Sequence, residues 1–102
     1  MKEMDRLEEL TEIFKAFSDL TRLKLIKLLS ESRNPLCVTA LSKKLSVTQS
    51  AVSQHLRILK QAGIVTGSRR GYHVHYEIDK KKLEQFEKML KKTFGRKPGK
   101  SA

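Results

Sequence analysis

The 102-residue sequence predicts one mainly α-helical domain of five helices and a small β-hairpin, arranged as a helix-turn-helix with a wing. Three observations carry that expectation. Apolar residues recur at helical spacing along most of the chain. A two-residue alternation replaces that period only around residues 72–78. Finally, the short punctuation Ser46-Val47-Thr48-Gln49 joins two helical segments tightly enough for helix-turn-helix geometry. With 38% hydrophobic residues the chain supports a single core. We therefore place one domain at 1–95 and a basic, disordered tail at 96–102.

The first helix follows from Leu7, Leu10, Ile13, Phe14 and Phe17, which form one apolar stripe, and it stops at Ser18-Asp19. In the second, Leu20, Leu23, Leu25, Ile26, Leu28 and Leu29 leave little polar surface, the pattern of a central core helix. Pro35-Leu36-Cys37-Val38 suits a brief extended segment before a cap at Thr39, and Ala40, Leu41 and Leu45 define a short third helix. The fourth helix runs from Gln49 to Gly63, the residue type favoured just past a helix end. Ile64-Val65-Thr66 and the alternating 72–78 segment form a hairpin, with Tyr72, Val74, Tyr76 and Ile78 on one face and His73, His75 and Glu77 on the other. Gly67-Ser68-Arg69-Arg70-Gly71 is then its basic tip. Leu83, Phe86, Met89, Leu90 and Phe94 mark a last amphipathic helix.

Charge separates the function classes. The formal net charge of +11 suits nucleic acid, an anionic membrane or an acidic protein. Its distribution is more telling: residues 1–34 carry 7 basic and 7 acidic side chains, residues 35–76 carry 6 and none, and residues 77–102 carry 9 and 4. A stretch that excludes carboxylates suits a face that meets a polyanion. No apolar run reaches the roughly 18 residues of a membrane span, and Met1–Asp5 is too charged to open a secretory signal, so a cytoplasmic protein without membrane contact is expected. The single Cys37 excludes an intramolecular disulfide. No nucleophile–base pair or phosphate-cradling glycine loop suggests an enzyme, and no cofactor is implied.

The fourth helix supplies the candidate site. At about 100° per residue, Ala51, Val52, His55, Leu56, Ile58, Leu59 and Ala62 fall on a core side. Gln49, Ser50, Ser53, Gln54, Arg57, Lys60 and Gln61 share the opposite arc, without one carboxylate. Amides and hydroxyls near the helix start suit base edges, because helix-turn-helix proteins present the N-terminal part of this helix to the major groove. Gln49, Ser50, Ser53 and Gln54 are therefore the base-reading candidates. Arg57 lies further along, where phosphate contact positions without specifying. Thr48 is expected to cap the helix and to lie near phosphate. Arg69 and Arg70 suit phosphate or the minor groove, though a solvated turn explains them equally well, and Lys43 on the third helix carries the same ambiguity.

The stretch from Leu45 through Ser50-Ala51-Val52-Ser53-Gln54-His55-Leu56, and on to Ala62-Gly63-Ile64-Val65, closely resembles the helix-turn-helix signature of the ArsR family. Phe17-Ser18-Asp19-Leu20-Thr21-Arg22-Leu23 is similar to that family's second-helix opening, with Leu20 where members usually have proline. Arg69-Arg70-Gly71 and Tyr76 are similar to its wing. The resemblance implies a homodimeric repressor on an imperfect palindrome of double-stranded DNA, dimerising through the first and last helices. Leu7, Leu10, Phe14, Phe86 and Leu90 are the seam candidates on those stripes.

It also implies metal sensing in many members, through a Cys-Val-Cys segment or through Asp and His on the last helix. Here the matching segment reads Cys37-Val38-Thr39, and the last helix has no histidine. We expect no metal site, and we expect Cys37 to pack as a buried residue, with redox or metal sensing the weaker alternative. His55 is expected to be a hydrogen-bonded structural histidine. Two rival functions remain: a winged helix used for protein contact, which calls for exposed apolar residues at 49–54, and sequence-indifferent DNA compaction driven by net charge.

Overall fold

A computed structural model describes residues 2–95, so the tail expected at 96–102 lies outside the described residues. The elements run α1 (Lys2–Phe17), α2 (Leu20–Glu31), β1 (Leu36–Cys37), α3 (Val38–Leu45), α4 (Gln49–Gln61), β2 (Val65–Arg70), β3 (His73–Ile78) and α5 (Lys80–Phe94). The three strands form one antiparallel sheet in the order β1-β3-β2. This is a helix-turn-helix followed by a wing.

Side-chain caps set the helix starts. Asp19 accepts the Arg22 N–H at 3.0 Å to open α2, Thr48 accepts the Ala51 N–H at 3.1 Å to open α4, and Asp79 accepts the Lys82 N–H at 3.1 Å to open α5. Each satisfies one of the amide donors that a helix start leaves orphaned. The cap expected at Thr39 is displaced: α3 begins at Val38, its cap is Cys37, and no side chain closes it. The strand pairing of Leu36 with Tyr76 and Cys37 with His75 runs directly into the helix, leaving no intervening residue for a hydroxyl cap.

The core gathers Leu10, Leu25, Leu41, Leu56, Leu59 and Ile64, each at most 2% exposed. From the middle of α5, Phe86 closes it, with its ring edge-on to Phe14 and Phe17 at centroid distances of 5.7 and 5.2 Å. α2 is less central than its composition suggests. Leu25 and Leu29 are buried, whereas Leu20 and Leu23 are 67% and 46% exposed, because they share an outward face of the helix with the exposed Lys24 and Lys27.

The hairpin also departs from expectation. β2 continues through Arg70, pairing Arg69 with Val74 and Arg70 with His73, so the tip is the two-residue turn Gly71-Tyr72. Positive φ at Gly71 (65°) and not at Tyr72 is the pattern of a type II′ turn, which matches the twist of the flanking strands. Tyr72, expected on the apolar face, sits in that turn and is 97% exposed.

Candidate nucleic-acid interface

The turn between α3 and α4 is held from both sides by Ser42. Its carbonyl accepts the Val47 N–H at 3.2 Å, and its hydroxyl donates to the Val47 carbonyl at 2.6 Å. Between them Ser46 adopts the left-handed conformation (φ 55°), which reverses the chain. At the far end of α4, Gly63 (φ 79°) donates to the Lys60 carbonyl at 3.0 Å and Ile64 donates to that of Leu59 at 2.9 Å. This pair of bonds is the Schellman closure, and it delivers the chain straight into β2. α4 is thus fixed at both ends by short-range hydrogen bonds.

Val52, Leu56 and Leu59 bury its inner side, and Gln49, Ser50, Ser53, Gln54, Arg57, Lys60 and Gln61 are all exposed. No acidic residue stands in its first turn, where the helix dipole is positive. Thr48 is exposed as well as capping. One core assignment changes. Ile58 is 39% exposed at the rim of a hollow lined also by Glu12, Lys15, Arg22 and Gln61, since it lies about 120° around the helix from Val52.

Lys43 and Lys44 are exposed in the last turn of α3, where cations also complement the helix dipole. Arg69 and Arg70 are exposed but, as neighbours on a strand, project from opposite faces of the sheet. They lie beside the tip rather than on it. Among the seam candidates, Leu10 (2% exposed) and Phe86 (6%) belong to the protomer's own core. Phe14 is 43% exposed, and Leu7 and Leu90 are half-buried.

His55 accepts at Nδ1 from Arg22 Nη1 at 3.2 Å, which makes it the hydrogen-bonded structural histidine expected. Arg22 and Ser42 were not singled out beforehand. Arg22 stands three residues after the capping Asp19, but nothing local foretells a bond to position 55. Cys37 is half-buried, and its cross-strand partner His75 keeps a buried Nδ1 without a hydrogen-bond partner. Among the described residues no three His, Cys, Asp or Glu side chains converge to hold a metal ion, and Thr39 offers only a hydroxyl beside Cys37. No helix among the described residues is long and apolar enough to cross a membrane.

Residues 19–66 match the family model described as bacterial regulatory protein, arsR family. An HTH-type transcriptional regulator of Methanocaldococcus jannaschii is 43% identical over 77 residues, which cover 74% of this chain and 85% of that protein. The chain belongs to the ArsR family. The HTH-type transcriptional repressor SmtB of Mycobacterium tuberculosis is 42% identical over 72 residues, covering 71% of this ArsR-family chain and 52% of the repressor, about half its length. Among solved structures, an ArsR-like transcriptional regulator from Rhodococcus superposes with a TM-score of 0.75 at 27% identity, covering 84% of this chain and 79% of that one. The homodimeric winged helix-turn-helix DNA-binding domain from Mycobacterium bovis shares the fold, with a TM-score of 0.70 at 24% identity over 82% of this chain and 77% of that one. These relatives are transcriptional regulators.

Proposed function

We propose that this ArsR-family protein is a homodimeric repressor that binds an imperfectly palindromic duplex operator, with Gln49, Ser50, Ser53 and Gln54 against base edges in the major groove. One observation carries the reading: the exposed arc of α4 starts with amides and hydroxyls, continues with Arg57 and Lys60, and holds no carboxylate. Thr48, Arg57 and Lys43 lie where phosphates flank that groove, and Arg69 and Arg70 flank the wing tip that would meet the neighbouring one. Polar residues at 49–54 disfavour a protein-docking winged helix. A dimer doubles the recognised site, and the exposed Phe14 beside half-buried Leu7 and Leu90 supplies apolar surface for its seam. The SmtB repressor and the homodimeric DNA-binding domain among the proteins it resembles support the same reading.

The test is a titration of a palindromic duplex from the protein's own promoter and of a scrambled duplex, across salt, with wild type and Gln49→Ala. Wild type is expected to prefer the operator by at least about 1,000-fold at physiological salt. Equal binding of both duplexes would assign the protein to sequence-indifferent compaction instead.

A further inference from the structure

Arg22, on α2, makes more polar contacts than any other side chain among the described residues, and they reach two other helices, α1 and α4. Its Nε donates to the Ala16 carbonyl at 2.7 Å and its Nη2 to the Lys15 carbonyl at 3.2 Å, both at the C-terminal end of α1. Its Nη1 donates to His55 Nδ1 on α4 at 3.2 Å, while its own N–H is fixed by Asp19 at the start of α2. Among the described residues, Arg22–His55 is the one side-chain hydrogen bond joining positions more than seven apart in sequence. It is therefore the polar link between the end of α1 and the reading helix.

We propose that Arg22 is a positioning residue that carries displacements of α1 into the Gln49–Gln54 segment of α4. This rests on the reading of α4 as the base-contacting helix. The guanidinium is planar and its donors form a rigid fork, so three acceptors held by one plane cannot shift independently. Two carbonyls in the last turn of α1 accept from the group that grips α4, that of Lys15 accepting from Ser18 as well. A guanidinium only donates, so His55 must accept at Nδ1 and keep its ring proton on Nε2. Asp19 Oδ1 stands 3.9 Å from His55 Nδ1 and accepts the backbone N–H of Arg22 instead. Gln54 immediately precedes His55 and Ser53 lies one residue earlier, so a tilt imposed at His55 moves two base-facing side chains. A change on the α1 face thereby alters operator reading without any ligand touching α4.

The test has two arms. In the free protein, Phe14→Ala on α1 is expected to shift the backbone amide resonances of Ser53, Gln54 and His55, and to leave them unmoved when Arg22→Gln is also present. In the duplex titration, Arg22→Gln and His55→Leu should each reduce operator preference about ten-fold, with little further loss in the double variant, because each removes the same hydrogen bond to a charged group. His55→Gln, which restores an acceptor, should recover most of the preference. Propagation from Phe14 that persists without Arg22, or wild-type preference in His55→Leu, overturns the proposal. If wild type fails to discriminate the duplexes, base reading by α4 falls, and the resonance arm still decides the role of Arg22.

Discussion

Gln49 and Thr48 adjoin in sequence, yet their substitutions should be felt in different measurements. Gln49 is exposed and its side chain makes no hydrogen bond among the described residues, so Gln49→Ala should leave the midpoint of thermal unfolding in place while weakening operator binding by about 10- to 100-fold, the worth of one bidentate base contact. Thr48→Ala removes the acceptor for the Ala51 N–H and should lower unfolding stability by about 1 kcal/mol, read by urea denaturation. Asp19 adds a pH dependence. The Arg22 N–H bonded to its carboxylate, aided by the Arg22 charge and the Thr21 N–H, holds that carboxyl below the usual carboxylate range despite some desolvation. A depressed folded pKa stabilises the protein at neutral pH, and that contribution disappears as the pH falls below about 4 and the carboxylate protonates. Asp19→Ala should accordingly be less stable than wild type at pH 7, with the gap narrowing in acid.

At the level of elements, helix existence was legible wherever an apolar stripe repeated over several turns, and so was the cap of α4 at Thr48. What escaped were features set by a neighbour. Ile58 fits the core side by angle, but folding leaves it lining an open hollow with Glu12 and Lys15 of α1. Arg69 and Arg70 looked like turn residues because glycines flank them, whereas cross-strand pairing with Val74 and His73 keeps them in β2. The polar arc of α4 was readable from spacing alone; the Arg22–His55 bond was not, since it joins positions brought together only by folding. α4 also depends on its buried side. Leu56 is 1% exposed, and Leu56→Ala should destabilise the fold by about 2–5 kcal/mol in a denaturant melt.

Across the whole molecule, the two signs of charge are unevenly placed. The acid-free segment 35–76 contains α3, α4, β2 and most of β3, while the described acidic residues lie on α1, α2, α5 and the end of the sheet. A polyanion approaching α4 thus meets local positive potential without the carboxylates of α1 having to be displaced. Removing one of the cations proposed to face phosphate, as in Arg57→Ala, should weaken operator and scrambled duplexes alike and reduce the slope of log affinity against log salt by about one. Assembly is tested on another surface. Phe14 is the exposed member of the α1 stripe, so Phe14→Asp should convert the proposed dimer to monomer in sedimentation velocity runs at micromolar concentration, with the helix content retained.

The two-residue turn at the end of the hairpin has an optical consequence. The chain contains no tryptophan and only two tyrosines, Tyr72 standing almost wholly in solvent at the wing tip and Tyr76 half-buried against the core. Tyrosine emission can therefore be split into an iodide-quenchable part from the wing and a shielded part from the sheet, with no indole to drain either by energy transfer. If the wing engages duplex DNA, the quenchable part falls while the shielded part holds steady, so the unlabelled protein reports its own docking.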